Sequence, residues 1–332
     1  MVLAIFIAGS VIGPVNAVAA PGSVTSTISL PDGSGPISIA FSPKGKSAYI
    51  ANYFGSTVSV INVATETITS TISLATGSGT ASVALSPSGK NAYTANYLNN
   101  TVSVINLEMG TVTSTINLPA GSGPTSIALS PNGKRAYITN RDSDTVSIID
   151  VATGTVASTI NLPAGTAPHS VAFNPNGKRA YITNRDNDTV SIIDVATGTV
   201  ASTINLPAGT GPISVAFSPN GKRAYTANHF NDTLSVIKVA TGTVTSTIEL
   251  PAGSGPYSIA VSPNGKRVYT ANISNETATA IKVATGTVTS TINLPAISSP
   301  SSVAVSRKGK RVYIANNGIH TVSVISIGSR RG

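Results

Sequence analysis

The chain has 332 residues, only 10% of them charged, and its 21 Lys and Arg against 12 Asp and Glu leave a formal net charge of +9. Cysteine is absent, which excludes a disulfide framework, thiolate chemistry and any cysteine-based metal site. Ser, Thr and Gly are abundant and no stretch carries a helical hydrophobic period, so the composition is that of short strands and tight turns.

Residues 1–20 come first and stand apart from the rest. Met1 to Ala20 hold no charge, Val2-Leu3-Ala4-Ile5-Phe6-Ile7-Ala8 forms an apolar centre, and Ala17-Val18-Ala19 matches a small-x-small cleavage pattern. The segment is expected to be an export signal, although a basic leading region is missing; a retained anchor and an appended extension are the alternatives. Gly9, Ser10, Gly13, Pro14 and Asn16 make a membrane-spanning helix the poorer choice. No second apolar run of that length follows, so the mature body is expected to be secreted or held at the cell surface, without an integral membrane span.

From there a single phrase recurs every 44 residues, marked by Tyr49, Tyr93, Tyr137, Tyr181, Tyr225, Tyr269 and Tyr313. A period in this range marks a repeat architecture. In the copy at Pro168–Pro207, His169 to Asn174 alternates as a strand and Pro175-Asn176-Gly177-Lys178 is turn chemistry. Arg179 to Asn184 is a second strand, a polar tip follows, and Thr189 to Val195 is a third. Ala196-Thr197-Gly198 then turns into a fourth, Thr199 to Leu206. The middle strands are apolar on both faces, Ile192 and Ile193 for example, and need cover on both sides.

Four antiparallel strands per unit, stacked radially, predict an all-β, seven-bladed β-propeller. The first strand of each unit has Ala at its middle, from Ala40 to Ala304, and is predicted to be innermost. Ser23 to Leu30 match a fourth strand whose three predecessors are missing, and the seventh unit stops after its third strand near Ile327. The N-terminal strand is therefore predicted to complete the last blade and lock the ring. The expected organisation is a leader over 1–20, a propeller over 21–328 and a short basic tail over 329–332.

The phrase Pro-x-Ser-Val-Ala-Phe-x-Pro-Asn-Gly-Lys-Arg-x-Tyr-Ile-Thr-Asn, followed by Thr-Val-Ser-Ile-Ile-Asp-Val-Ala-Thr-Gly, resembles the YVTN-repeat β-propeller family over about residues 22–327. The signatures of WD-repeat propellers are absent. The resemblance implies a prokaryotic surface or secreted protein, surface-layer proteins among them. It also implies a binding or surface scaffold with no common catalytic residues.

Differences among the copies gather on one face, where the tips between second and third strands meet the loops entering the innermost strand. At that tunnel mouth the seven positions are Ile37, Ala81, Thr125, His169, Ile213, Tyr257 and Ser301. The tips add Tyr53-Phe54, Tyr97-Leu98, Arg141-Asp142, Arg185-Asp186 and His229-Phe230. Exposed aromatic and aliphatic tips are typical of contact surfaces. Tyr53, Phe54, Tyr97, Leu98, His169, His229, Phe230 and Tyr257 are thus the candidate binding residues for a protein or glycan partner, drift of unconstrained tips being the plainer explanation.

The opposite face collects the base-rich turns, including Lys134, Arg135, Lys178, Arg179, Lys222, Arg223, Lys266 and Arg267, with only Glu66 and Glu108 expected nearby. These residues are candidate contacts for an anionic envelope polymer, glycan or lipid headgroup, against the plainer reading of a solvated turn set. Nucleic acid is not expected, because base-stacking aromatics are missing among these turns.

No metal, cofactor or catalytic constellation emerges. His169 has no histidine at the six equivalent positions, and Asp142-x-Asp144 and Asp186-x-Asp188 lack the twelve-residue calcium loop and are read as turn caps. The sequence therefore leads to a monomeric, non-catalytic exported scaffold that binds through its mouth face. The alternatives are a lactonase- or lyase-like enzyme using His169, Tyr257 and Thr125, and a structural surface-layer component.

Overall fold

Each 44-residue repeat makes four short antiparallel strands because alternating apolar runs are punctuated by Gly-containing turns. The computed structural model describes residues 22–327. The expected leader over 1–20 and the tail over 329–332 lie outside the described residues. In blade 4 the strands are Pro168–Phe173, Arg179–Asn184, Thr189–Asp194 and Thr199–Asn205, paired in that order. The seven sheets are all of this kind, and the first strands touch one another in succession around a central tunnel, the last (Pro300–Val305) meeting the first (Pro36–Phe41). Among the described residues no helix is long and apolar enough to cross a membrane.

The ring closes as predicted. Val24–Ser29 pairs antiparallel with Thr321–Ser326 as the outer strand of blade 7. Its register shifts between Val24 and Ser26, the same bulge that the fourth strand of blade 4 makes opposite Ile192 and Ile193. The closing strand thus reproduces a true fourth strand in detail.

The repeated residues have identifiable work. Each Tyr is buried opposite the small Ala of the first strand, as in Ala172 against Tyr181. In three blades its ring meets a phenylalanine of the next blade edge-on: Tyr137 with Phe173 at 4.9 Å, Tyr181 with Phe217 at 4.8 Å, and Tyr313 with Phe41 at 5.1 Å across the seam. The Asn that ends each second strand is fully buried. In Asn184 the amide donates to Thr189 Oγ1 at 2.9 Å and Ser191 Oγ at 2.8 Å, pinning the second strand to the third below the tip.

A further device joins blades to one another. The last tip residue adopts positive φ and reaches into the loop that leads to the next blade. Asp188 (φ 55°) accepts N–H groups from Gly209 and Gly211, both at 2.7 Å, and the Thr210 hydroxyl at 3.0 Å. Asp144 does the same with Gly165, Ala167 and Thr166, while His320 closes the circle by accepting the Gly35 N–H on Nδ1 at 3.1 Å. Of the four aspartates expected to cap local turns, Asp144 and Asp188 are instead latches between blades. Partial burial raises the pKa of Asp188, but the Gly211 and Gly209 N–H groups and Thr210 outweigh it, leaving the carboxyl below its usual value.

Because the folded pKa is depressed, the stabilisation by Asp188 is complete above the unfolded carboxylate pKa and is lost as pH falls through the folded value. Asp188→Ala is expected to cost about 2 kcal/mol, the worth of hydrogen bonds to a charged acceptor. Chemical denaturation at neutral pH checks this, and the deficit should shrink in strong acid.

Blade 6 departs from the other copies in its third strand, which carries Ala280 where they have Val60, Val104, Ile148, Ile192, Val236 and Val324. An indentation of about 430 Å³ opens there, at the seam with blade 7, lined by Ala280, Tyr269, Ile292 and Ile325. Ala280→Val restores two methyl groups and is expected to raise stability by about 1 kcal/mol, read as a higher denaturation midpoint; a lower midpoint would mean that the seam has already collapsed around alanine.

Candidate functional site

One end of the tunnel opens as a polar pocket of about 410 Å³. All seven mouth positions line it, from Ile37 to Ser301, together with Tyr53, Tyr97 and Arg141 from the tips. Below them lies a ring of seven serines, Ser38, Ser82, Ser126, Ser170, Ser214, Ser258 and Ser302. Their hydroxyls tie neighbouring blades together: Ser38 Oγ accepts the Val83 N–H and Ser126 Oγ the Val171 N–H, both at 3.3 Å. A hydroxyl that accepts in this way keeps its own proton to offer elsewhere.

His169 sits on the first strand of blade 4. Its Nδ1 lies 2.9 Å from the Ile213 carbonyl, so the neutral ring carries its proton on Nδ1 and leaves Nε2 as the acceptor. Burial pushes its pKa down to about 4, the Ile213 carbonyl opposing this and the positive charges of Arg141 and Arg185 adding to it. The ring is neutral at physiological pH. Tyr257 stands edge-on to it at 5.8 Å, and His229 stands edge-on to Tyr257 at 6.1 Å.

Thr125 has a different role from that expected of a reacting group. Its hydroxyl is 3.0 Å from the His169 carbonyl and 3.0 Å from Thr139 Oγ1, so it braces the backbone beside His169. Tyr97 donates to Asp142 Oδ1 at 3.1 Å, and Tyr53 rests 6.4 Å from Tyr97. Arg141 lines the same wall, and among the described residues it has no ion pair. It therefore brings a positive charge to the pocket.

The eight candidate binding residues divide. Tyr53, Tyr97, His169 and Tyr257 line the pocket, and His229 stands behind Tyr257. Phe54, Leu98 and Phe230 point away and remain exposed. They also have a structural use that the sequence did not reveal: each lies over a glycine of its own blade, Gly35, Gly79 and Gly211, so closely that a Cβ there would come within 2.6 Å. Phe230 further carries the Arg185 guanidinium 5.0 Å above its ring.

On the opposite face, Lys134, Lys178, Lys222 and Lys266 are exposed at the turns. Arg223 and Arg267 are exposed beside them, whereas Arg135 and Arg179 are half-buried in ion pairs with Asp150 and Asp194. The expectation that only Glu66 and Glu108 lie on this face needs correction, since third strands ending in Asp150 and Asp194 also finish there. Among the described residues no group of three or more His, Asp or Glu is placed to hold a metal ion.

A closed ring with a concave polar mouth, a half-buried neutral histidine and a guanidinium without an ion pair among the described residues makes a β-propeller with a candidate ligand site at its tunnel. The chain belongs to the lactonase, 7-bladed beta-propeller family, whose model matches residues 16–167 and 161–332. No curated protein is matched by sequence. Among solved structures, Kuenenia stuttgartiensis hydrazine synthase is similar at 21% identity, over 95% of this chain and 99% of that one, with a TM-score of 0.79. A streptogramin B lyase is similar at 18% identity, over 91% and 97%, with a TM-score of 0.81. Virginiamycin B lyase from Staphylococcus aureus is similar at 16% identity, over 91% and 98%, with a TM-score of 0.80. At such identities the likeness speaks for the fold alone.

Family membership overturns the expectation of a non-catalytic scaffold. The physical reason is the ring itself: a site at its axis takes single side chains from different blades, so no motif is contiguous in any one repeat.

Proposed function

We propose that the chain opens a cyclic ester at the tunnel mouth, as a lactonase-like hydrolase. The observation that carries this reading is His169, neutral at physiological pH, with Nε2 as its accepting nitrogen and the Arg141 guanidinium lining the same pocket. Nε2 takes a proton from water as the water oxygen attacks the lactone carbonyl carbon. Arg141 balances the charge that develops on the carbonyl oxygen. The ring C–O bond then breaks, and the same proton passes to the departing oxygen, giving a hydroxy acid.

Incubation with a panel of small lactones and a cyclic depsipeptide, followed by mass spectrometry in ¹⁸O-water, tests the proposal. One heavy oxygen in the product carboxylate is the expected result. An unsaturated product without label would make the reaction an elimination, and no turnover of any member of the panel would sink the reading. Within the family, the seven in-register phrases support a narrower YVTN-type placement, and the composition of residues 1–20 supports export.

A further inference from the structure

The molecule separates its charges between the two ends of the tunnel. The turns joining first to second and third to fourth strands carry seventeen of the 21 Lys and Arg, with four acidic residues among them. The mouth face has the other eight acidic residues against Arg141 and Arg185. Nor are the acids on the mouth face a simple surface charge, since Asp144, Asp188 and Asp232 are consumed as blade latches. On the basic face three arginines are paired, with Asp150, Asp194 and Glu66, and among the described residues no lysine is in an ion pair.

From this we infer that the basic face docks flat against an anionic lipid surface. Equivalent first and second strands share one register in every blade, Leu129 against Ala136 and Phe173 against Ala180 for instance, so their turns end at one height. The lysines therefore form a coplanar ring. A plane of negative charge meets all seven turns at once, whereas a straight polymer laid across a ring meets only the few turns it crosses. One groove between neighbouring turns is lined by Lys134, Lys178 and Asn176, with Arg179 beside them held by Asp194, and its two lysines are the groups that would meet a phosphate headgroup. Met109 is the only large apolar side chain strongly exposed among the described turns of this face. Attachment is then electrostatic and peripheral, with the tunnel mouth facing the solution.

Sedimentation of the full chain with phosphatidylcholine vesicles, with and without about 30% phosphatidylglycerol, tests the inference. Binding is expected to the anionic vesicles alone, and to vanish as salt rises from about 0.1 M toward 0.5 M. Each basic charge near such a surface is worth about fivefold in partitioning. The quadruple variant Lys134→Gln, Lys178→Gln, Lys222→Gln and Lys266→Gln should therefore bind at least about 100-fold more weakly, with an unchanged melting profile. Phe54→Ser with Phe230→Ser, on the other face, should bind as the parent does. Equal binding to neutral vesicles, or an unaffected quadruple variant, overturns the inference. Retention of soluble dextran sulfate without vesicle binding also overturns it, and assigns the face to a linear polyanion.

Discussion

A chain lacking residues 1–30 is expected to lose its cooperative melt, or to melt at least about 10 °C lower than the parent. Val24–Ser29 is contiguous in sequence with blade 1 but hydrogen-bonded into blade 7, so it is the strap that holds the ends of the ring together. Its removal exposes the edge of Thr321–Ser326 and abolishes the bonds from Gly22 N–H to the Ser326 carbonyl and from Leu30 N–H to the His320 carbonyl. Ile28 and Leu30 leave a cluster that contains Phe41, Ile50, Ile61 and Tyr313 and spans the seam. Two such side chains are worth about 3–6 kcal/mol, against a typical net stability of about 5–15 kcal/mol. What remains across the seam is inner-strand contact, including the Ile39 N–H to Ser302 Oγ at 3.3 Å, together with the Gly35–His320 latch, the Phe41–Tyr313 ring pair and the Arg311–Glu66 ion pair.

Scans at one fixed rate check the expectation, since large proteins often unfold irreversibly. A permuted chain, with residues 22–31 moved behind Ile327 on a flexible linker, keeps every pair of the closing strand and should recover most of the loss. A deletion variant that melts like the parent would show that the seam holds without its strap.

The second large effect concerns His169. His169→Gln keeps an N–H for the Ile213 carbonyl but removes the basic nitrogen, and should lower kcat/KM on the lactone that the panel identifies by about 10²–10⁴-fold, the usual range for a general base. The parent should show an acid limb in kcat/KM near the value of about 4 at which burial holds the ring. Arg141 contributes to that low value, so Arg141→Met is expected to move the limb toward neutral pH while reducing kcat. A role confined to structure would leave the limb where it is. The sign is fixed by charge: a neighbouring cation disfavours imidazolium, and its removal makes protonation easier. The same depression makes His169 oppose acid stability, because between its folded value and the ordinary histidine pKa only the unfolded chain takes up the proton.

The pocket was partly legible. His169, Tyr257 and the mouth positions could be read as the variable residues of a repeated strand start, because strand alternation fixes which end of a blade each occupies. Arg141 adjoins Asp142 in sequence, where pairing of adjacent opposite charges is the default reading, and only the folded tip places it in the pocket. The serine ring went unnoticed for the opposite reason: its members do not vary, and an invariant Ser in a repeat looks like packing until neighbouring first strands are seen side by side.

By itself the sequence determined the number of blades, the order of strands, the innermost strand and the use of the N-terminal strand as the lock. All of these follow from a period and from where it begins and ends. Local chemistry was enough there, since turns, alternation and small residues act over a few positions along the chain. Tertiary structure alone decided that Asp144, Asp188 and His320 are latches between blades, that Phe54, Leu98 and Phe230 shield glycines, and that Arg141 and His169 share a wall. Those contacts join residues from different loops, about half a repeat apart in sequence or, for His320 and Gly35, at opposite ends of the ring, and they form only once the sheets have closed on a common axis.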